Sequence, residues 1–468
     1  MGPLDLSIAE FQALADRVVG DAARYLALLD DRPGFPPTSG ALTAGAFGAP
    51  VPEEGMGAAA MDGLALIAEN ARAGNGRFFA YVLGSGEPVA ALGDLYASVL
   101  NQNVTSWRSA PSAVAVERTV IGWLAEAVGC AGFVGSMVGG GSSANLMGLA
   151  MAREAIAPAN DDGARPSVVY ASAEVHMSIP KAVALLGLGR ANLRLIPVDE
   201  KFRMRVDLLD AAIAEDRRAG RQAIAVVASA GTVNTGAIDP LEAIAAIARQ
   251  AGLWLHIDGA YGGLAAIAMP DQLAGLSFAD SLSLDLHKWL YQPLDCSALL
   301  YRDADVARAT FSHTGDYVKS HFDDPIEGFG FFDETVELSR RFRALKVWLS
   351  LRYHGLNGFR VAIREDLRRA RLLAGMVEAE PDLELLAPVE LSAVCFRWHG
   401  EAARDLDGRN RAILERMLAR GRVVLSNATI GGRFALRACV VNHRTTDDDI
   451  AAVISEVHAA AGETAPAD

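Results

Sequence analysis

Short, continuously apolar runs recur along the chain from about residue 61 and alternate with stretches whose apolar residues follow helical spacing. Such runs are typical of strands that helices cover on both faces, because neither face of the strand meets water. The clearest runs are residues 167–170, 224–227, 253–257, 280–286 and 297–301. The alternation predicts an α/β fold whose central sheet is mostly parallel.

Helix signals lie between and after these runs. Asp239 and Pro240 predict a helix start with Asp239 as N-cap, and Gly252 predicts its end. A long helical stretch around residues 340–353 leads into a C-terminal α+β region. The predicted strands of that region are residues 393–397 and 434–437.

The first part of the chain predicts an arm. Apolar residues at helical spacing span residues 8–29, and a Pro- and Gly-rich stretch at residues 32–52 predicts an extended linker. A helix with a linker has too little core of its own, so its apolar face must bury against the main body or a second subunit. We therefore expect an N-terminal arm over residues 1–60, a large domain over 61–345 and a small C-terminal domain over 346–468.

Composition favours small-molecule chemistry. The 468 residues are 51% hydrophobic and carry a formal net charge of −14, which disfavours nucleic acid and anionic membranes as partners. The N-terminus lacks the features of a secretory signal or a myristoylation site, and no transmembrane span is expected. The four cysteines lack metal-ligand spacing and predict reduced, buried thiols in a cytoplasmic protein, with no metal expected.

The pair His287 and Lys288 carries the strongest chemical signal, because it directly follows the apolar run 280–286. A lysine that a buried strand delivers into a pocket can lose its proton and form a Schiff base. The run 253–257 is followed by Asp258, a carboxylate that can hold a pyridine nitrogen in its protonated form. The alternative for Asp258 is a helix-capping role. A lysine with such an acid is the protein's half of pyridoxal-phosphate (PLP) chemistry.

These two segments resemble the group II PLP-dependent decarboxylases, the family of aromatic-amino-acid, histidine and glutamate decarboxylases. The resemblance implies the aspartate-aminotransferase fold (type I), with a seven-stranded, mostly parallel sheet in the large domain. It also implies PLP as cofactor, an L-amino acid that loses its α-carboxylate to give an amine, and a homodimer with a shared active site. The resemblance extends over most of the chain, including residues 77–81, 101–107 and 338–346.

A glycine-rich loop at residues 139–141 precedes an apolar helix, so its free backbone N–H groups can face an anion. Alone, such a loop more often only connects two elements. It matches neither a Walker loop nor a dinucleotide fingerprint. The family places a similar loop on the PLP phosphate, which implies that Gly141 and Ser142 bind phosphate with help from His287.

The resemblance assigns further cofactor contacts. His176 follows the run 167–170 and would stack on the PLP ring, although a lone histidine there is more often structural. Ala260 would pack on the opposite ring face. Thr232 lies near the ring hydroxyl in the family's pattern, but it could equally be an ordinary turn threonine. The role of Asp285 stays open, because a second anion beside phosphate is unfavourable.

The substrate pocket follows from the resemblance too, with Tyr81, Thr105 and Leu294 as its walls. A gapless count back from Arg340 puts Phe331 where many family members have a proton-donating tyrosine. The family contains aldehyde synthases that use phenylalanine at this place and release an aldehyde, ammonia and peroxide. Some bacterial decarboxylase-like sequences also read Phe-x-Asp here, as residues 331–333 do. The sequence therefore predicts a decarboxylase of an aromatic or similar L-amino acid, with an aldehyde synthase as the alternative.

Two contrasting classes are disfavoured by the residues. A binding protein that kept the fold but lost catalysis would not need Lys288, Asp258 and His176 together. A nucleotide-dependent dehydrogenase would require an acidic residue at the end of the strand after the glycine-rich loop, and none stands there.

Overall fold

Two sheets organise the computed structural model of the chain, which describes residues 4–313, 324–400 and 405–464. The strands of the larger sheet are β1 (Val134–Val138), β2 (Val168–Ser172), β3 (Leu193–Ile196), β4 (Ala223–Ser229), β5 (Trp254–Asp258), β6 (Ser281–Asp285) and β7 (Ser297–Tyr301). The strands of the smaller sheet are β8 (Leu383–Leu385), β9 (Ala393–Trp398), β10 (Ser426–Ile430) and β11 (Arg433–Cys439).

The larger sheet has the order β1-β7-β6-β5-β4-β2-β3 and is parallel except for β7, which runs antiparallel to both of its neighbours. The predicted apolar runs form β2, β4, β5, β6 and β7, and the predicted mostly parallel sheet is confirmed. The two strands that sequence did not predict, β1 and β3, both lie at sheet edges.

Helices cover both faces of this sheet. In chain order, the helices of the described residues are α1 (Ile8–Ala27), α2 (Gly40–Phe47), α3 (Gly63–Asn70), α4 (Pro88–Leu100), α5 (Pro111–Ala127), α6 (Gly141–Ile156), α7 (Ser178–Leu185), α8 (Val206–Arg218), α9 (Leu241–Ala251), α10 (Leu286–Trp289), α11 (Ala304–Phe311), α12 (Ala344–Ala379), α13 (Leu406–Arg420) and α14 (Asp447–Glu463). Short 3₁₀ helices span Leu29–Asp31, Gly57–Asp62, Arg190–Asn192, Gly263–Ile267, Pro270–Phe278 and Phe331–Asp333. Helices α6, α7 and α11 pack on one face, and α5, α8, α9 and the start of α12 pack on the other. None of the helices in the described ranges combines the length and apolarity that a bilayer crossing requires.

Helix α12 joins the large core to the small domain. Its residues Phe359 and Leu367 pack in the large core, whereas Leu373 and Val377 pack in the core of the small domain. That small core lies between α12, α13, α14 and an antiparallel sheet of order β10-β11-β9-β8, which confirms the predicted C-terminal α+β region. Phe79, far upstream, also packs in the small core.

Two expectations from local sequence are wrong. The stretch predicted to be an extended linker contains α2, because the Ser39 side chain accepts a hydrogen bond from the Leu42 amide and caps a new helix. Asp239 is not the N-cap of α9, since Pro240 precedes the helix. The buried Asp239 carboxylate instead accepts hydrogen bonds from the backbone amides of Met204 and Ser229, and burial raises its pKa to about 6.

All four cysteines are free and buried, as predicted: Cys130, Cys296, Cys395 and Cys439. Burial raises the pKa of the Cys130, Cys296 and Cys395 thiols to about 12. Thiols this weakly acidic carry almost no thiolate at neutral pH, so their contribution is to packing rather than to chemistry.

Candidate active site

A cavity of about 540 Å³ opens where the carboxyl ends of β4, β5 and β6 meet the small-domain sheet. Open α/β sheets bind ligands at this edge. Most of the predicted site residues line the cavity: Tyr81, Gly141, Ser142, His176, Asp258, Ala260, His287 and Lys288. The small domain contributes Ser426, Asn427 and Arg437 to the opposite wall.

Lys288 lies on the single helical turn α10, which begins directly after the buried strand β6. Its Nζ atom lies 2.8 Å from Oδ2 of Asp285, the last residue of that strand. The neighbouring His287 ring donates from Nδ1 to the backbone carbonyl of Cys296 at 2.9 Å. Burial lowers the pKa of His287, although the Asp285 charge opposes that shift. Strand and turn together aim the lysine amine into the cavity.

Asp285 is the ion-pair partner of the lysine. The Ser297 hydroxyl donates to its Oδ1 atom at 2.5 Å across the β6–β7 pair. Burial alone would raise the pKa of the Asp285 carboxyl, but the Lys288 charge and the hydrogen bonds lower it below its ordinary value. The structure therefore gives Asp285 a defined place beside the amine, which sequence alone left open.

The glycine-rich loop passes close to both Ala260 and Asp285. A Cβ atom at Gly141 would lie 2.9 Å from the Ala260 methyl and 2.9 Å from Asp285 Oδ2, so only glycine fits there. Gly140 precedes α6, and no side chain in the described residues caps this helix terminus. The first amides of a 16-residue helix therefore lie at the cavity wall, where they can bind a phosphate group.

Asp258 is the last residue of β5, and hydrogen-bond donors surround its carboxylate. Oδ2 accepts from the Asn145 amide at 2.9 Å, and Oδ1 accepts from the Ser283 hydroxyl and the Ala260 backbone, both at 3.1 Å. Donors to a carboxylate stabilise its charged form. A carboxylate at the cavity wall can keep a pyridine nitrogen in its protonated form. Lys288 supplies an amine for a Schiff base, and the first amides of α6 can bind a phosphate group. The residues present thus fit PLP.

His176 lies between β2 and α7 and also lines the cavity. Burial lowers its pKa, and the nearby Asp258 charge partly offsets this effect. The lowered pKa favours the neutral form of the ring. A neutral, planar imidazole at this wall is suited to packing against a cofactor ring.

Four predicted residues do not line this cavity in their own chain. The Thr232 hydroxyl is used within its turn, where it contacts Thr235 Oγ1 at 3.0 Å and accepts from the Ala237 amide. Leu294 is 58% exposed outside the cavity, and Thr105 is buried elsewhere. Phe331 is fully buried, with its ring centroid 4.2 Å from the guanidinium carbon of Arg340.

Sequence reasoning missed several polar residues of the site. His256 precedes Asp258 by two positions on β5, so both face the same side of the strand, which is a signal the sequence does contain. Asn145 lies on α6, four residues after the glycine-rich loop, and sequence alone assigns it no role. Arg437 carries no local signal, because only the fold brings it to the cavity wall. Ser178 lies behind that wall, where its hydroxyl contacts His176 Nδ1.

A family model for the pyridoxal-dependent decarboxylase conserved domain matches residues 60–399. The aromatic-L-amino-acid decarboxylase of Bacillus atrophaeus is 35% identical over 393 residues, which cover 82% of this chain and 81% of that protein. The 4-hydroxyphenylacetaldehyde synthase of Rhodiola rosea is 32% identical over 386 residues, which cover 79% of this chain and 78% of that protein.

The fold is also shared with solved structures. The crystal structure of Oryza sativa TDC with PLP and tryptamine superposes with a TM-score of 0.91 at 28% identity, covering 99% of each chain. The sequence match spans both the lysine turn and the glycine-rich loop, and the structural match spans both domains. The chain belongs to the pyridoxal-dependent decarboxylase family.

Proposed function

We propose that this enzyme decarboxylates an aromatic L-amino acid to the corresponding amine and carbon dioxide, with Lys288 as the covalent anchor of PLP. The observation that carries the proposal is the convergence of Lys288, Asp258 and His176 in one cavity, at the carboxyl ends of β6, β5 and β2. The membership of the decarboxylase family supports this choice of reaction.

Each residue has a separate task in this proposal. Gly141 and Ser142 bind the phosphate at the start of α6, and Asp258 holds the pyridine nitrogen protonated. His176 packs over the ring. When bound, PLP supplies the electron sink for the bond that breaks at the substrate α-carbon.

Arg437 gives the cavity wall a positive charge. Its guanidinium donates to the backbone carbonyls of Asn234 at 3.0 Å and Tyr81 at 3.3 Å, which fixes its position. No ion pair in the described part of the chain involves Arg437, so its charge is not neutralised by a neighbouring carboxylate. A carboxylate substrate is attracted to this wall.

The proposed substrate class is aromatic, because apolar groups of Tyr81, Val82 and Met177 line the cavity and the Bacillus relative is named for aromatic substrates. We expect kcat/KM for L-tryptophan, L-tyrosine or L-phenylalanine to exceed that for L-glutamate by at least roughly 100-fold, since an unpaired second carboxylate is costly to desolvate. Amine and carbon dioxide release across this panel measures it. Comparable turnover of L-glutamate would contradict the aromatic assignment.

The product distinguishes the two candidate reactions, since aldehyde synthases are among the relatives. Phe331 is fully buried and outside the cavity, so we expect Phe331→Tyr to leave the ratio of amine to aldehyde unchanged. The buried hydroxyl should instead lower the free energy of unfolding by about 1–3 kcal/mol. Product analysis under air and under nitrogen, together with thermal unfolding, tests both statements.

The half-buried neighbour Phe332 provides a matched control, because Phe332→Tyr adds the same hydroxyl where it can reach water. A shift towards amine in Phe331→Tyr alone, with less peroxide in air, would instead support the aldehyde-synthase alternative.

A homodimer is part of the proposal. Helix α1 has no buried residue, and its apolar side chains Ile8, Phe11 and Val19 are exposed in the single chain. On α4 the apolar side chains Leu92, Tyr96 and Val99 are likewise exposed. Exposed apolar surface of this extent is typical of protein interfaces. Tyr81 remains 66% exposed beside the cavity, which supports a site that a second copy completes.

We expect Val99→Lys to weaken the dimer by at least roughly tenfold, because an interface would have to bury an unpaired charge. Light scattering should then report the 49.4 kDa chain mass rather than twice that value, and activity should fall with dissociation. Val361→Lys changes an equally exposed valine on α12 and serves as control. Unchanged mass and activity in Val99→Lys would exclude α4 from the interface.

A further inference from the structure

His256 has no place in the proposed chemistry, yet it lies fully buried directly behind Asp258. Helix α6 approaches it so closely that a Cβ atom at Gly148 would lie 2.5 Å from the imidazole Nδ1. The same helix carries Asn145 one turn earlier. Close packing of α6 on β5 thus places a polar side chain from each element in contact beneath the cavity floor.

The hydrogen bonds between these side chains have a fixed direction. The Asp258 carboxylate only accepts, so Asn145 presents its amide nitrogen to Oδ2 at 2.9 Å. Asn145 Oδ1 must then accept from the Nε2–H of His256, at 2.9 Å. Nδ1 of a neutral His256 accepts from the Ser281 hydroxyl at 2.8 Å. Ser281 in turn accepts from the Trp254 indole N–H at 2.8 Å.

A branch of the same chain reaches His176. The second N–H of the Asn145 amide donates to Ser178 Oγ at 2.9 Å, which leaves the Ser178 hydroxyl proton for Nδ1 of His176 at 2.8 Å. The Ser178 backbone N–H also donates to that Nδ1 atom, at 3.2 Å. Because Nδ1 of His176 accepts two donors, a neutral ring carries its proton on Nε2.

We propose that His256 and Asn145 are positioning residues that orient the Asp258 carboxylate and fix His176 as the Nε2–H tautomer, through one chain of hydrogen bonds starting at Trp254. Burial supports the neutral form of His256, whose pKa it lowers to about 4 despite the opposing Asp258 charge. The inference deepens the proposed function and rests on it, since Asp258 and His176 are the cofactor contacts. Loss of the His256 donor would free Asn145 to turn its oxygen towards Asp258.

The first test compares PLP binding to cofactor-free protein in two backgrounds. His256→Phe keeps ring size but removes the donor, and we expect its PLP dissociation constant to rise roughly tenfold, as for one lost buried hydrogen bond. The visible absorbance of the bound cofactor should shift as well. In an Asp258→Asn background the same substitution should change the constant less than about twofold.

Conservative substitution provides the control. His256→Gln retains an N–H donor that can reach Asn145 Oδ1 and should restore most of the affinity and the absorbance. Equal effects of His256→Phe in both backgrounds would show that the residue acts on the fold in general, which overturns the proposal. Thermal unfolding of each cofactor-free variant separates affinity from folding.

The second test needs no substitution and keeps the proposal falsifiable if His256→Phe does not fold. Selective ¹⁵N labelling of histidine in the PLP-loaded enzyme reports the protonated nitrogen of each ring. We expect His256 and His176 to be neutral Nε2–H tautomers. An Nδ1–H tautomer at either residue overturns the chain. Neither test measures substrate turnover, so a wrong substrate class or product would leave both results unchanged.

Discussion

Replacing Lys288 with alanine should abolish the absorbance of the lysine–PLP Schiff base and lower kcat by about 10²–10⁴-fold, the range contributed by one positioned proton-transfer group. The substitution removes the amine that would link the cofactor. The same nitrogen lies 2.8 Å from Asp285 Oδ2, so the ion pair with Asp285 is lost too. Absorbance spectra after PLP addition and single-turnover assays of carbon dioxide release measure the two effects.

Other lysines provide the controls for this result. Lys181 is an exposed residue of α7, and Lys181→Ala should keep the absorbance and most of the activity. Lys346 is fully buried, with its Nζ bound to Asp94 at 2.9 Å and to the Pro293 carbonyl at 2.8 Å, so it is committed to structure. Borohydride reduction followed by peptide mapping should label Lys288 alone. A reduced cofactor adduct on Lys181 or Lys346 would refute the assignment.

The sequence predicted those parts of the molecule that depend on neighbours along the chain. Continuous apolar runs predicted the five inner strands of the large sheet, β2, β4, β5, β6 and β7. Burial on both faces makes such strands apolar throughout, and this composition is visible in the sequence. Lys288 and Asp258 stand directly after such runs, so the strand ends carried them to one edge of the sheet. The edge strands β1 and β3 were missed for different reasons. Strand β3 is only partly buried and contains an arginine. Strand β1 is mostly buried, but its sequence VGSMV contains a glycine and a serine and is not a continuous apolar run.

Contacts between distant segments account for what the sequence did not predict. Asp239 has the signature of a helix cap, yet its carboxylate binds the Met204 amide 35 residues away. Phe331 was placed by counting along a loop, and its burial against Arg340 depends on how that loop folds back. Asn145 and His256 are separated by 111 positions and meet only because α6 packs on β5. Local pattern contains none of this information.

Asp258→Asn should reduce kcat by roughly 100-fold or more while leaving the fold intact. An adjacent anion raises the pKa of a cationic group by about 1–3 units, so its removal leaves a pyridine nitrogen mostly unprotonated at neutral pH. The substituted amide would also place an N–H₂ group against Asn145, Ser283 or the Ala260 backbone, all of which are donors to the native carboxylate. Weaker PLP binding and a changed cofactor spectrum should accompany the loss of rate.

Asp258→Glu keeps the charge but moves it by one methylene, so it should lose less activity than Asp258→Asn if charge is the deciding property. Asp239→Asn is the control for burial, because Asp239 is also a buried carboxylate that accepts two backbone amides, yet it lies away from Lys288. That variant should lose stability without changing the cofactor spectrum. If Asp258→Asn retained near-normal kcat and spectrum while Asp239→Asn altered both, the task of holding the pyridine nitrogen protonated would belong to a different carboxylate than the one at the end of β5.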